Sequence, residues 1–168
     1  MNDSMDDAQA FLALAVAVTP VSVGSDARAR FIDAMEAERY LPFLGELSAR
    51  FDVAEDAMRA LLTRIDEPGS WVRGVSPIQG HMNFRPGPRH APLRGGFARM
   101  EGGMRLPHHR HTDRELTLVL EGELLDGEGR SYGPGASIDM PPGSAHSLSV
   151  PDGKQAVVAL LHGRIEML

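Results

Sequence analysis

The chain has 168 residues, contains no cysteine and carries a formal net charge of −6. A chain of this length can bury the core of an ordinary domain without a stabilising cross-link. The absence of thiols excludes disulfides, thiolate zinc sites and cysteine nucleophiles, so any metal must be held by histidine or carboxylate side chains.

The negative charge is confined to the first part of the chain. Residues 1–75 contain 13 acidic and 7 basic side chains, whereas residues 76–168 contain 10 of each. An acidic surface repels phosphate backbones, which argues against nucleic-acid binding and suits either a solvated helical surface or a basic protein partner. The apolar run FLALAVAV (11–18) is too short to span a bilayer and follows an acidic stretch, so we predict a cytoplasmic protein without membrane contact.

Helical patterns occupy the first part of the chain. The first predicted helix lies between Ser4, which opens a capping-box pattern, and Pro20, which ends the helix. A second helix is predicted over 26–38, and the stretch LPFLGELSARF (41–51) predicts a third. The sequence EPGS (67–70) then stops the helical pattern.

A fourth helix is predicted from another capping-box pattern, with Asp52 followed three residues later by Glu55, and it runs to about Ile65. Together with the helix before it, the stretch 47–65 is similar to a helix-turn-helix. DNA readout requires basic and polar side chains on the second helix, but this helix offers two acids beside two arginines. We therefore favour helix packing over DNA binding.

From about Trp71 onward, glycine and proline become dense and separate short runs of alternating apolar residues. The runs include GFARME, ELTLVLEG, SIDM, HSLSV and AVVALLHG. Many short strands punctuated by turns predict a β-sandwich or a small barrel. The predicted organisation is an α-helical region over 1–72 followed by a β-barrel domain over 73–168.

The stretch HHRHTDRE places several metal-ligating side chains close together. Side chains alternate between the two faces of a strand, so His109 and His111 can both point inward. Residues 112–114 can form a short loop, after which Glu115 begins the next inward series. The segment GPGASIDMPPG forms a strand and a tight turn that delivers His146 from a neighbouring strand. Three imidazoles and one carboxylate then converge, a usual ligand set for Zn(II), Fe(II), Mn(II) or Ni(II).

Two segments of the chain carry a resemblance to a known family. GMRLPHHRHTDRELTLVLEG resembles the first conserved cupin motif, and GASIDMPPGSAH resembles the second. The resemblance implies a mainly β, antiparallel jelly-roll barrel of the RmlC-like type. Every metal-ligand position of the family pattern is filled, by His109, His111, Glu115 and His146. Val150 replaces the asparagine that often ends the second motif, which removes a polar group but no ligand.

The amino-acid sequence of the motifs is similar to that of the cupin domain of ChrR-type anti-sigma factors. In those proteins, a helical domain that holds the sigma factor precedes the cupin domain. The order of helices and barrel is the same here. The ChrR-type helical domain carries a His/Cys zinc site, whereas this chain has no cysteine and residues 1–70 contain no histidine. The resemblance implies a metal-binding regulatory or sensor protein. Its acidic helical region would bind a sigma-factor-like partner without a His/Cys zinc site.

Two other functions fit the same ligand set. A small metal-dependent dioxygenase or isomerase would bind a chelating small molecule in the barrel, although Tyr132, in a turn, is the nearest general acid or base beyond the ligands. A structural barrel with an incidental metal is the third alternative. Zinc is the favoured metal, and iron, manganese and nickel also accept the set. Barrels of this type often pair through sheet edges, which predicts a homodimer.

Four residues near the motifs need separate interpretations. His108 should face outward by alternation, next to the inward His109. His162 fits a core or strand-end position. Arg99 could point into the barrel and meet an anionic ligand, or point outward. Trp71 is expected at the junction between the helices and the barrel, or packed on the barrel.

Overall fold

The computed structural model describes residues 24–28, 38–74 and 78–168. Residues 38–74 and 78–168 belong to one compact unit. The helix expected between Ser4 and Pro20 lies outside the described residues, and of the helix predicted over 26–38 only residues near its two ends are described. No helix in the described parts of the chain is long and apolar enough to cross a bilayer.

Within residues 41–66, two short helices precede the strands. A 3-10 turn over Leu41–Phe43 leads into α1 (Leu44–Phe51). Helix α2 (Glu55–Thr63) continues as a 3-10 turn over Arg64–Asp66. Both elements coincide with helices that the apolar spacing predicts, and each buries one face of that spacing.

The predicted capping box at Asp52 is wrong. Asp52 instead ends α1 in the left-handed conformation, with φ of 57°. Its carboxylate accepts a hydrogen bond from the backbone N–H of Arg89 at 3.0 Å and pairs with the Arg89 guanidinium at 2.8 Å. Ala54 is the residue that precedes α2, and no side chain caps this helix. The Asp52 carboxylate therefore binds Arg89, which is distant in sequence, instead of capping α2 as the capping-box pattern predicts.

Two antiparallel sheets follow. The six-stranded sheet has the spatial order β1 (Val72–Arg73), β2 (Ile78–Phe84), β3 (Arg94–Glu101), β10 (Gln155–His162), β5 (Glu115–Gly122) and β8 (Ser137–Met140). The five-stranded sheet has the order β11 (Ile165–Met167), β4 (Arg105–His111), β9 (Ala145–Ser149), β6 (Leu124–Asp126) and β7 (Ser131–Tyr132). Apolar side chains from both sheets pack together between them. The predicted antiparallel jelly-roll fold with helices before it is confirmed.

The six-stranded sheet is covered on both faces. On its outer face, strand β5 packs Leu116 and Leu118 against the helices. On its inner face, the same strand packs Val119 against residues of the five-stranded sheet. The outer core combines residues of α1, α2 and the sheet, among them Leu47, Phe51, Met58, Leu62, Phe97 and Val157. The helices therefore share a core with the sheet, and the domain boundary between residues 72 and 73 stays a prediction.

Tyr40 joins the start of the helical segment to strand β5. Its side chain is buried, and its hydroxyl donates to the Glu121 carboxylate at 2.6 Å. Burial and this hydrogen bond raise the pKa of Tyr40, so the hydroxyl stays protonated and remains a donor. We expect Tyr40→Phe to lower the free energy of unfolding by about 1–2 kcal/mol, because the carboxylate loses a hydrogen bond. Urea denaturation measures the change, and Tyr132→Phe, which removes the hydroxyl of a tyrosine that is only partly buried, should cost less.

Candidate metal centre

Three imidazole rings face one another between the sheets. His109 and His111 lie on β4, and His146 lies on the neighbouring β9 directly opposite His109. The ring centroids are 4.7–5.0 Å apart in all three pairs. His109 and His111 are fully buried, which agrees with the predicted inward alternation. The three side chains could hold a metal ion.

The nitrogen positions fit a shared cation. His111 Nε2 and His146 Nε2 are 3.1 Å apart. Two imidazole nitrogens bound to one metal at about 2.0–2.1 Å lie about 3 Å apart when the angle at the metal is near 90–110°. His109 Nδ1 lies 2.8 Å from the carbonyl oxygen of Pro107, so Nδ1–H donates and Nε2 keeps its lone pair. This Nε2 is buried and has no hydrogen-bond partner among the described residues.

Glu115 stands at the edge of the imidazole cluster. It is the first residue of β5, on the same inner face as Thr117, whose hydroxyl donates to Glu115 Oε1 at 3.3 Å. Glu115 Oε2 lies 3.6 Å from His111 Nδ1, and Oε1 lies 3.9 Å from His146 Nε2. The fold thus brings all four predicted side chains together, while the carboxylate's role as a ligand stays a prediction.

Burial sets the protonation of the cluster. Burial, and then the neighbouring His109 and His111, lower the pKa of His146 to about 4. Burial, followed by His109 and His162, lowers the pKa of His111. These two rings are neutral near pH 7, so they have lone pairs for a metal. Burial raises the pKa of Glu115 to about 7, and a nearby cation would favour its ionised form.

The flanking residues separate into two groups. His108 is exposed, as predicted, and lines the cavity that also reaches His146. Arg99 points outward, where its guanidinium lies 4.5 Å from the centre of the Trp71 ring. Arg99 and the Trp71 indole both donate to the carbonyl oxygen of Ile65, at 3.1 and 2.8 Å. Arg99 therefore belongs to the contact between helices and sheet, and the interpretation that placed it inside the barrel does not hold.

The structure adds features that the motifs do not reveal. The carbonyl of Pro107 orients His109, and a backbone group leaves no signal in the sequence. A cavity of about 370 Å³ reaches His146 and is also lined by Asp126, Arg130 and Tyr132. The Tyr132 hydroxyl donates to Asp126 Oδ2 at 3.0 Å, and Arg130 Nε pairs with the same oxygen at 3.0 Å. The polar cavity lies beside the cluster, where a small molecule could reach it.

Comparisons with known proteins agree with the cupin motifs. Residues 96–166 match a family model described as the ChrR Cupin-like domain. A chain from the crystal structure of Rhodobacter sphaeroides SigE in complex with the anti-sigma ChrR is 17% identical, with a TM-score of 0.55 over 92% of this chain and 75% of that chain.

Two further solved structures have lower TM-scores. A cupin-like protein from Thermotoga maritima is 19% identical, with a TM-score of 0.48 over 57% of this chain and 83% of that chain. An acetylacetone dioxygenase from Acinetobacter johnsonii is 11% identical, with a TM-score of 0.49 over 61% of this chain and 74% of that chain. The search of curated proteins returned no match. The family match and the Rhodobacter structure confirm the predicted fold and the resemblance to ChrR-type cupin domains.

Proposed function

We propose, starting from a barrel similar to ChrR-type cupin domains, that the protein is a regulatory or sensor cupin with one divalent metal. The observation that carries the proposal is the convergence of two buried imidazoles and one partly buried imidazole, with His109 Nε2 left without a hydrogen-bond partner among the described residues. The ligands would be His109, His111, Glu115 and His146. Zinc is favoured, and iron, manganese and nickel accept the same set. When bound, the metal would supply a coordination position for a small molecule or an oxidant.

Strand β5 supports a regulatory role because its two faces meet different parts of the protein. Glu115 faces the imidazole cluster, whereas the next residue, Leu116, packs in the core shared with the helices. A change in the ligands of the metal that displaced Glu115 would move the backbone of β5. The side chains of Leu116 and Leu118 would then transmit the shift to the helices, which are the proposed contact region for a protein partner.

The proposed partner is a sigma-factor-like protein. The structure of SigE with the anti-sigma ChrR, which resembles 92% of this chain in fold, supports the choice of partner. Residues 1–75, with their excess of acidic side chains, supply charge for a basic partner surface. Because the chain has no cysteine, the contact would form without the His/Cys zinc site of ChrR-type helical domains. The homodimer and the cytoplasmic location stay predictions.

Affinity purification from the native host tests the proposal. The tagged full chain should enrich a sigma factor, and the purified pair should bind in calorimetry with an affinity that changes at least tenfold after the metal is chelated. His146→Ala should show the chelated behaviour with or without added metal, whereas His108→Ala should behave as the wild type. The regulatory proposal would be contradicted if no sigma factor were recovered. It would also be contradicted if the affinity for the sigma factor were the same with and without the metal.

An enzyme is the second candidate, and the cavity that reaches His146 is the observation that favours it. A dioxygenase or isomerase would bind a chelating substrate there against an iron ion. Burial and the hydrogen bond to Asp126 raise the pKa of Tyr132, so its hydroxyl would act as a proton donor rather than a base. Oxygen-electrode assays of the Fe(II)-loaded protein with catechols, thiols and diketones test the idea, and no uptake above that of His146→Ala would reject oxygenase chemistry.

A further inference from the structure

The inner face of the six-stranded sheet changes from apolar to polar along its strands. At one end it carries apolar side chains from β3, β5 and β10, among them Ala98, Met100, Val119, Ala156 and Val158. At the other end Arg94 on β3 pairs directly with His162 on β10. Strand β10 pairs Leu161 with Leu116 of β5, so the next residues, His162 and Glu115, follow on adjacent strands. Arg94, His162 and Glu115 thus form a polar row toward the imidazole cluster.

The outer end of this row is open to solvent. Two cavities, of about 390 and 320 Å³, are both lined by Arg94 and His162. One extends toward Arg164, and the other passes over Gly96 on the inner face of β3. A Cβ atom at Gly96 would meet Asn83 Oδ1 at 3.2 Å, so the missing side chain keeps the surface beside Arg94 concave.

Two arginines, Arg94 and Arg164, and one carboxylate, Asp113, lie at this open end. Within the described parts of the chain, five arginines form ion pairs with carboxylates, and Arg94 and Arg164 form none. The nearby Asp113 carboxylate accepts hydrogen bonds from the Thr112 hydroxyl and the backbone N–H of Arg164. A free guanidinium in a concave polar site favours a carboxylate, which it can bind through two parallel hydrogen bonds.

We infer that Arg94, with His162 beside it, binds the carboxylate of a small organic acid at the open end of the row that leads to Glu115. His162 Nδ1 lies 3.1 Å from the carbonyl oxygen of Gly163, and its strand, β10, lies between β3, which carries Arg94, and β5, which carries Glu115. A short acid held by Arg94 would point its other end along the row toward Glu115 and the imidazoles. The carboxylate site itself depends on Arg94 and His162 alone. Only the expectation that the bound acid points toward the metal centre rests on the proposed metal-binding function.

Succinate, a short dicarboxylate, is the probe for the test. Isotope-labelled full-length protein, metal-free and zinc-loaded, is titrated with sodium succinate at constant ionic strength, and the Nε–H signals of the arginines are followed by NMR. We expect saturable shifts of the Arg94 signal and a dissociation constant at least tenfold higher for Arg94→Gln. Arg105→Gln, an exposed substitution on β4, is the matched control and should bind succinate as the wild type does.

The outcomes separate this inference from the metal proposal when metal content is measured on the same samples. Equal succinate affinity in wild type and Arg94→Gln, or no saturable shift at all, would overturn the carboxylate site even if zinc binds. Arg94-dependent succinate binding in a wild-type protein that takes up no zinc would support the carboxylate site and reject the metal centre. Arg94-dependent binding that tightens in the zinc-loaded protein would support both.

Discussion

His146→Ala is expected to abolish most of the stabilisation that the metal gives to the fold. Loss of one of the four proposed ligands should weaken metal binding at least about a hundredfold, and at saturating metal a hundredfold change corresponds to about 2.7 kcal/mol of linked stability. For a unit of this size the melting temperature should fall by about 10 °C relative to the zinc-loaded wild type. Differential scanning calorimetry with excess zinc, and again with a chelator, measures the shift.

Two further samples make this result specific. His108→Ala removes an exposed imidazole from the same strand as His109 and should keep the zinc-dependent melting temperature of the wild type. Chelated wild type should melt close to chelated His146→Ala, since the variant differs from it chiefly in metal binding. A wild-type protein whose melting temperature is the same with zinc and with chelator would contradict the expected coupling of metal binding to stability.

Leu47→Ala should destabilise the helices and the barrel together. Leu47 is fully buried in the core that α1 and α2 share with the six-stranded sheet. Truncating a buried leucine of this kind costs about 2–5 kcal/mol through lost burial and the cavity that remains. Urea unfolding followed by circular dichroism for the helices and by Trp71 fluorescence for the contact with the sheet should give coincident transitions.

The matched control for Leu47→Ala is the truncation of an apolar side chain that is largely exposed to solvent. Val72 is 59% exposed at the start of β1, and Val72→Ala should change the free energy of unfolding by less than about 0.5 kcal/mol. The shared core would not couple the helices to the sheets if the helices unfolded well before the fluorescence transition. The same conclusion would follow if Leu47→Ala lowered the free energy of unfolding no more than Val72→Ala.

The period-two pattern of the strands explains why much of the metal centre could be predicted. Alternation alone places His109 and His111 on one face of β4, and the turn before β9 brings His146 opposite His109. The same pattern could not decide where Arg99 points. Strand β3 carries Phe97 on the outer face and Ala98 on the inner face, and both are buried because helices cover the outside. With two buried faces, apolar alternation no longer distinguishes inside from outside.

Other features depend on contacts between distant parts of the chain. The Asp52 carboxylate is drawn to Arg89, a residue that local capping rules do not consider. The row of Arg94, His162 and Glu115 exists because β10 pairs with both β3 and β5. Strand order and register of this kind are set by tertiary packing, so the residues of the row could not be associated from their sequence positions.

Metal content of the untagged protein tests the central claim most directly. Wild type, His109→Ala and His108→Ala are incubated with zinc, separated from free metal by gel filtration and measured by plasma mass spectrometry. The metal centre predicts about one zinc per chain in wild type and His108→Ala and little in His109→Ala, which lacks the buried, unpartnered nitrogen. A wild-type protein without metal, or His109→Ala with as much zinc as wild type, would contradict the claim that these imidazoles hold a metal.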